Sequence, residues 1–312
     1  MPKKSVKING REYVRFGGLC NYSLADTMEC GQCFRYEALE CRAPFIAEYM
    51  TVVGNLAFTV AQRDKGELLF FGVSDEDIEK RLVPYFALDV DYEAIKADVL
   101  LHTDSQFLKD AAEAGGGIRI LRQDPWEALF SFIISQNNNI PRIRKIIRAI
   151  ALEYGENLAL ATWGCTCPLG REICEENCRA CGACYSFPTA AAVCEEPEKL
   201  LPSHPGFRYK YLTDAAYRVN SGEIDLAKIA AAASYEYTVS ELMKIKGVGH
   251  KVASCTALFG FGNLEAFPID VWMQRAIDTY FDGKLDPASL GSFGGVAQQY
   301  IFHYIRLLSK EA

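Results

Sequence analysis

Two residues of this chain stand where a nucleophile and a carboxylate could act together. Lys251 belongs to Leu242-Met243-Lys244-Ile245-Lys246-Gly247-Val248-Gly249-His250-Lys251-Val252-Ala253, and Asp270 follows nineteen positions later in Phe267-Pro268-Ile269-Asp270-Val271-Trp272. The first segment reads as a helix ending at Gly247, a Gly-Val-Gly turn and a second helix starting near His250, with Ala253 small enough for the two helices to pack closely. Such glycines allow positive φ and expose backbone N–H groups beside a helix N-terminus, a concavity suited to a phosphate oxygen. Lys251 falls in the first turn of the second helix as a candidate nucleophilic amine. A glycine-terminated hairpin without a ligand explains Gly-x-Gly alone, a phosphate contact explains the lysine alone, and an N-cap explains the aspartate alone. Backbone binding has no need of a carboxylate near a phosphate, so the pair points to catalysis.

A second concentration of reactive side chains is Cys165, Cys167, Cys174, Cys178, Cys181 and Cys184, half of the twelve cysteines. Six thiols in one short segment suit a tetrahedral zinc site or an iron–sulfur cluster, and equally an insertion with free thiols or disulfides formed on purification. A structural metal site is the expectation.

The elements that position these groups follow from periodicity. Glu12 to Phe16, Phe34 to Leu39, Phe45 to Val53, Leu56 to Ala61 and Leu68 to Val73 are rich in Val, Phe, Tyr and Thr, and Gly54-Asn55 sits between two of them as a hairpin turn would. An antiparallel sheet is expected. From Asp124 the helical period dominates: Asp124-Pro125 is a sound helix start, and a second helix begins near Pro141, apolar at Ile143, Ile146, Ile147 and Ile150. Its other face carries Arg142, Arg144, Lys145 and Arg148, which for an isolated helix reads as a solvated face. Further helices are expected around Ala190 to Leu201, Tyr209 to Val219 and Tyr235 to Lys246.

The chain has 312 residues, half of them apolar, and a formal net charge of −7. That excludes disorder and a small disulfide scaffold. No run reaches the roughly 18 to 20 apolar residues of a membrane span, and nothing after Met1 makes a signal peptide, so a soluble intracellular protein without a membrane partner is expected. The negative sign argues against a protein that coats nucleic acid, but eight carboxylates crowd between Asp75 and Asp98, where they can lie away from a bound strand.

The Lys251 and Asp270 segments together resemble the catalytic hairpin and Gly/Pro-Asp loop of the helix-hairpin-helix DNA glycosylase superfamily, and within it the 8-oxoguanine DNA glycosylase/AP lyases. Four other segments carry the narrower resemblance: Gly31-Gln32-Cys33-Phe34-Arg35; Leu121-Arg122-Gln123-Asp124-Pro125 with Ser135-Gln136-Asn137-Asn138-Asn139-Ile140-Pro141-Arg142; Gly206-Phe207-Arg208-Tyr209-Lys210-Tyr211; and Ala297-Gln298 with Phe302. It extends over nearly the whole chain except Cys165 to Cys184, where the family has a shorter connection.

The resemblance implies an α+β fold: an antiparallel sheet domain over residues 1–115 that contributes Gly31, and a two-lobed all-α region over 116–312 with the cysteine insertion at 165–184. The site would lie between the lobes. Lys251 would be the nucleophile and Asp270 the stabilising carboxylate. Gly31 would read N7–H of 8-oxoguanine through its carbonyl, Gln298 the Watson–Crick edge, and Cys255 and Phe302 would sandwich the purine. Asn137 would fill the gap left by the extruded base, Arg142 and Arg208 would contact the orphaned cytosine, and Phe207, where the family more usually has Tyr, would wedge beside it. Backbone at Gly247, Gly249 and Val252 would hold DNA. No cofactor is needed for catalysis, the partner is double-stranded DNA with an oxidised purine, and a monomer is expected, cytoplasmic with the nucleoid in a prokaryote or nuclear in a eukaryote. The alternatives are a glycosylase for another damaged purine, which can use the Asp without the Lys, and a non-catalytic DNA-binding hairpin module with a metal-binding insert.

Overall fold

The computed structural model describes residues 4–158 and 183–311. Over them the chain is α+β. Strands β1 (Lys4–Ile8), β2 (Arg11–Gly17), β3 (Tyr36–Ala38), β4 (Ala47–Val53), β5 (Leu56–Gln62) and β6 (Glu67–Phe71) form an antiparallel sheet in the order β1-β2-β6-β5-β4-β3. Gly54-Asn55 closes the β4–β5 hairpin, where Val53 pairs with Leu56 and Gly54 takes φ +60. Tyr22, Met28, Phe58, Phe70 and Phe86 form a buried cluster against this sheet. The sequence pattern missed β1 and the short helix Leu24–Glu29, although Ser23 announces the latter: its hydroxyl accepts from Asp26 N.

The helix Pro125–Ser135 starts as expected, Asp124 Oδ1 accepting from Glu127 N at 2.9 Å. It contributes Phe130 and Ile133 to a buried helical cluster with Ile147, Leu212, Leu258 and Tyr300. In the next helix, Ile140–Tyr154, the basic face is only in part solvated. Arg144 and Arg148 both donate to the Glu37 carboxylate on β3, and the Arg144 guanidinium lies 4.2 Å from the Tyr36 ring centre. What reads as a solvated face is therefore partly the seam to the sheet, since two strong donors pair with a carboxylate that a strand brings within reach.

A second helical cluster joins Val99, Leu108, Met273, Ala276 and Ile301. Helices Tyr92–Leu101 and Gln106–Ala114, grouped with the sheet by a division at residue 115, thus pack against the C-terminal helix Gly294–Glu311. No helix among the described residues is long and apolar enough to cross a membrane.

Candidate active site

The hairpin is built from helix Tyr235–Leu242 and helix His250–Phe261. The first helix ends at Leu242 rather than Gly247, because successive turn bonds take over: Ile245 N donates to Leu242 O at 3.1 Å and Val248 N to Ile245 O at 3.1 Å. Gly247 takes φ +78, and a Cβ there would lie 2.4 Å from the Tyr211 ring. Both backbone and packing require glycine. Gly249 differs from the expectation: its φ is −97, it caps the second helix, and a Cβ would meet nothing within 4 Å. That open space lies where the amides of the first turn lack helical acceptors. Val252 is buried.

Lys251, at the second position of the new helix, has its Nζ 5.6 Å from the Phe132 ring centre. Asp270 starts helix Val271–Tyr280, its Oδ1 accepting from Trp272 N at 3.0 Å and Met273 N at 2.9 Å. Both residues line one cleft. One helical turn beyond Lys251, burial pushes the Cys255 thiol up, an effect that the nearby Lys251 ammonium opposes and Asp270 reinforces.

Gly31, Lys251, Cys255, Asp270, Gln298 and Phe302 all line one recess of about 320 Å³. Gly31 takes φ +83 after the Leu24–Glu29 helix, with the position of an added Cβ 3.5 Å from the Phe302 ring. Gln298 is buried, its Oε1 accepting from Gln299 Nε2 at 2.8 Å. The recess opens into a cleft of about 920 Å³, which Gly31, Lys251, Asp270 and Phe302 share with Ile140, Trp272 and Arg306.

A second group forms at the end of the Pro125–Ser135 helix. Asn137 is exposed with φ +47, and the buried Arg208 holds this turn: Nε donates to Gln136 O at 2.9 Å, Nη2 to Gln136 O and to Asn137 O at 3.0 Å, and Nη1 to Pro205 O at 3.2 Å. Burial and then the neighbouring Arg142 charge lower the Arg208 pKa. The expectation that Arg208 offers its donors to a base is thus modified, because a buried guanidinium must first satisfy its own N–H groups. Arg142 remains exposed. Phe207 is half exposed, under the Arg208 guanidinium at 4.5 Å.

Sequence reasoning assigned no role to Gln32, which anchors the Gly31 loop. Its Nε2 donates to Thr27 O and Arg119 O, each at 2.8 Å, its Oε1 accepts from Leu121 N at 2.8 Å, and its carbonyl accepts from Gln123 Nε2 at 2.7 Å. The amide beside the glycine in Gly31-Gln32 was the available signal. Arg35 is likewise buried in an ion pair, its Nη1 2.8 Å from Glu127 Oε2.

Of the six clustered cysteines, Cys165, Cys167, Cys174, Cys178 and Cys181 lie outside the described residues. Cys184 is buried with Sγ 3.5 Å from Met50 Sδ. Among the described residues no three His, Cys, Asp or Glu side chains gather as a metal site.

Residues 19–129 match the family model of the 8-oxoguanine DNA glycosylase N-terminal domain. The N-glycosylase/DNA lyase of Saccharomyces cerevisiae is 30% identical over 271 residues, covering 81% of this chain and 66% of that protein, so the chain spans about two thirds of the yeast relative. Among solved structures, MBOgg1 in complex with a low-affinity DNA ligand is 32% identical with a TM-score of 0.81, over 99% of this chain and 100% of that one. The Clostridium acetobutylicum 8-oxoguanine glycosylase/lyase, solved with double-stranded DNA containing cytosine opposite 8-oxoguanine, is 30% identical with a TM-score of 0.80, over 99% of each chain. With a recess that gathers Lys251, Asp270 and Gly31 from three distant segments, and with relatives matched end to end at this identity, the chain belongs to the 8-oxoguanine DNA glycosylase family.

Proposed function

We propose that this chain removes 8-oxoguanine opposite cytosine from duplex DNA and then cleaves the strand as a lyase. A base inside a duplex must be swung out before its glycosidic bond can be reached, so the enzyme needs a pocket for the base and a group to fill the gap. The recess lined by Cys255, Phe302 and Gln298 supplies the pocket, with Cys255 and Phe302 on the two faces of the purine. Gly31 C=O would accept from N7–H, a donor in 8-oxoguanine where guanine has an acceptor. Asn137 would enter the stack, Phe207 would wedge beside it, and Arg142 would donate to the acceptors of the orphaned cytosine. Arg208 would add to this through the donors that also hold the Asn137 turn.

Lys251 Nζ, as the free amine, attacks C1′ of the sugar. The C1′–N9 bond breaks, its electron pair leaves with the base, and the base takes up a proton. Ring opening gives a Schiff base, from which loss of a C2′ proton expels the 3′ phosphate by β-elimination. Asp270 stabilises the positive charge that develops on the sugar and accepts a proton from the amine. Every group is a side chain of this protein, so the chemistry asks for no cofactor and one chain suffices. Such a substrate puts the protein where DNA is, with the nucleoid in a prokaryote or in the nucleus of a eukaryote. A zinc or iron–sulfur site at the cysteine segment enters no step; its support is cysteine spacing, and metal content of the purified protein decides it.

The observation that carries this reading is that Lys251 and Asp270, from two different helix starts, line one recess with Gly31, Cys255, Gln298 and Phe302. Lys251 also favours this reading over a purine glycosylase that works with the carboxylate alone. Borohydride should trap a covalent complex with a duplex containing 8-oxoguanine opposite cytosine, and Lys251→Gln should abolish the trap. A Lys251→Gln protein that traps as well as the parent would remove Lys251 as nucleophile.

A further inference from the structure

Arg306 has no part in the chemistry above, yet it lines the cleft through which a nucleotide would enter. It lies one turn beyond Phe302 on the Gly294–Glu311 helix, its guanidinium carbon 5.3 Å from the Phe302 ring centre. A single long hydrogen bond, Nη1 to Glu29 O at 3.4 Å, ties it to the backbone just before Gly31. Among the described residues no carboxylate pairs with it. A guanidinium carries five N–H donors and stays charged at any physiological pH, so most of its bonding capacity is uncommitted.

The cleft is ordered by depth. The recess takes Cys255, Gln298 and Phe302 but not Arg306. Lys251 and Asp270 line recess and cleft alike, whereas Arg306 lines only the outer cleft. A base in the recess and a sugar beside Lys251 would leave the sugar's phosphates at the outer level. Lys251 and Arg306 are the two cations of that cleft wall, and the proposed reaction engages Lys251 as the nucleophile.

We infer that Arg306 binds a phosphate flanking the extruded nucleotide and so helps to hold the nucleotide out of the duplex. This rests on the reading of the recess as the base pocket. The guanidinium would give two parallel N–H bonds to phosphate oxygens while it remains beside the Phe302 ring.

The test is the salt dependence of binding to two duplexes, one with 8-oxoguanine opposite cytosine and one with a tetrahydrofuran abasic analogue, which keeps the phosphates and lacks the base. Arg306→Gln should weaken both by the same factor, about ten- to a hundredfold, as the loss of one charged hydrogen bond does. It should also reduce the slope of log K against log salt by about one. Arg306→Lys, which keeps the charge, should retain the parental slope. A loss confined to the 8-oxoguanine duplex, an unchanged slope for Arg306→Gln, or a lysine variant with the slope of the glutamine variant would each overturn the assignment. Borohydride trapping by the parent protein is run alongside. A parent that fails to trap defeats the function reading, whereas a parent that traps beside an unaffected Arg306→Gln protein defeats the phosphate role alone.

Discussion

Asp270 carries two duties on one carboxylate. Oδ1 caps a helix through two backbone N–H groups, while the proposed chemistry asks for the negative charge. The duties separate by substitution because Asn caps a helix as well as Asp does. Asp270→Asn should keep the thermal midpoint close to the parental value yet slow base release by roughly two to four orders of magnitude in single turnover. Asp270→Ala should lose the same activity and, in addition, about 1 kcal/mol of stability, read from urea unfolding. If Asp270→Asn excised at the parental rate, the carboxylate would be a cap and nothing more. Arg208 carries a similar double load: the three hydrogen bonds that fix the Asn137 turn come from the residue expected to touch the cytosine.

At the scale of elements, the hairpin shows why two glycines of one motif are not equivalent. Gly247 is demanded by the free fold, with φ +78 and the Tyr211 ring against its α-carbon, whereas nothing within the protein demands Gly249. Gly247→Ala should therefore destabilise the protein by about 2 kcal/mol or more, from the left-handed backbone and the clash together. Gly249→Ala should change stability by less than about 0.5 kcal/mol and still weaken duplex binding, if the open space is where the DNA backbone comes close. Equal loss of stability in the two variants would show that the second glycine too serves the fold. The C-terminal helix makes a comparable point: Gln298, Phe302 and Arg306 are spaced four apart, so one face carries two residues of the recess wall and then one of the adjoining cleft.

At the scale of the whole molecule, the charge of −7 has to coexist with a polyanionic ligand. Part of the positive charge is spent internally: Arg35 on Glu127, Arg144 and Arg148 on Glu37, and Arg208 on backbone carbonyls. With these four committed and 40 carboxylates against 33 Lys and Arg over the chain, the footprint on undamaged DNA should be small. Binding to undamaged duplex should be weak and fall about ten- to a hundredfold between about 50 and 200 mM salt, with lesion duplex holding better because base contacts add to phosphate contacts. Equal salt slopes and equal affinities for both duplexes would contradict recognition centred on an extruded base.

The strands from β2 to β6, the start at Asp124-Pro125 and the Lys251–Asp270 pair were legible because each depends on local rules: alternation, a cap and a proline, or a glycine turn next to a lysine. Strand β1 was not, since Lys4–Ile8 has only Val6 and Ile8 as apolar residues and is held by pairing with β2. The basic face at Arg144 and Arg148 misled for the same reason, its carboxylate partner lying more than a hundred residues away in sequence. By itself the sequence determined the reactive groups and the order in which local elements carry them. Only the tertiary structure decided that Gly31, Lys251, Asp270 and Phe302 share one recess, that Gln32 holds the loop of the first of them in place, and that Arg306 lines the adjoining cleft. Those are contacts between distant segments, and they exist only once burial of the common core has closed the chain between them.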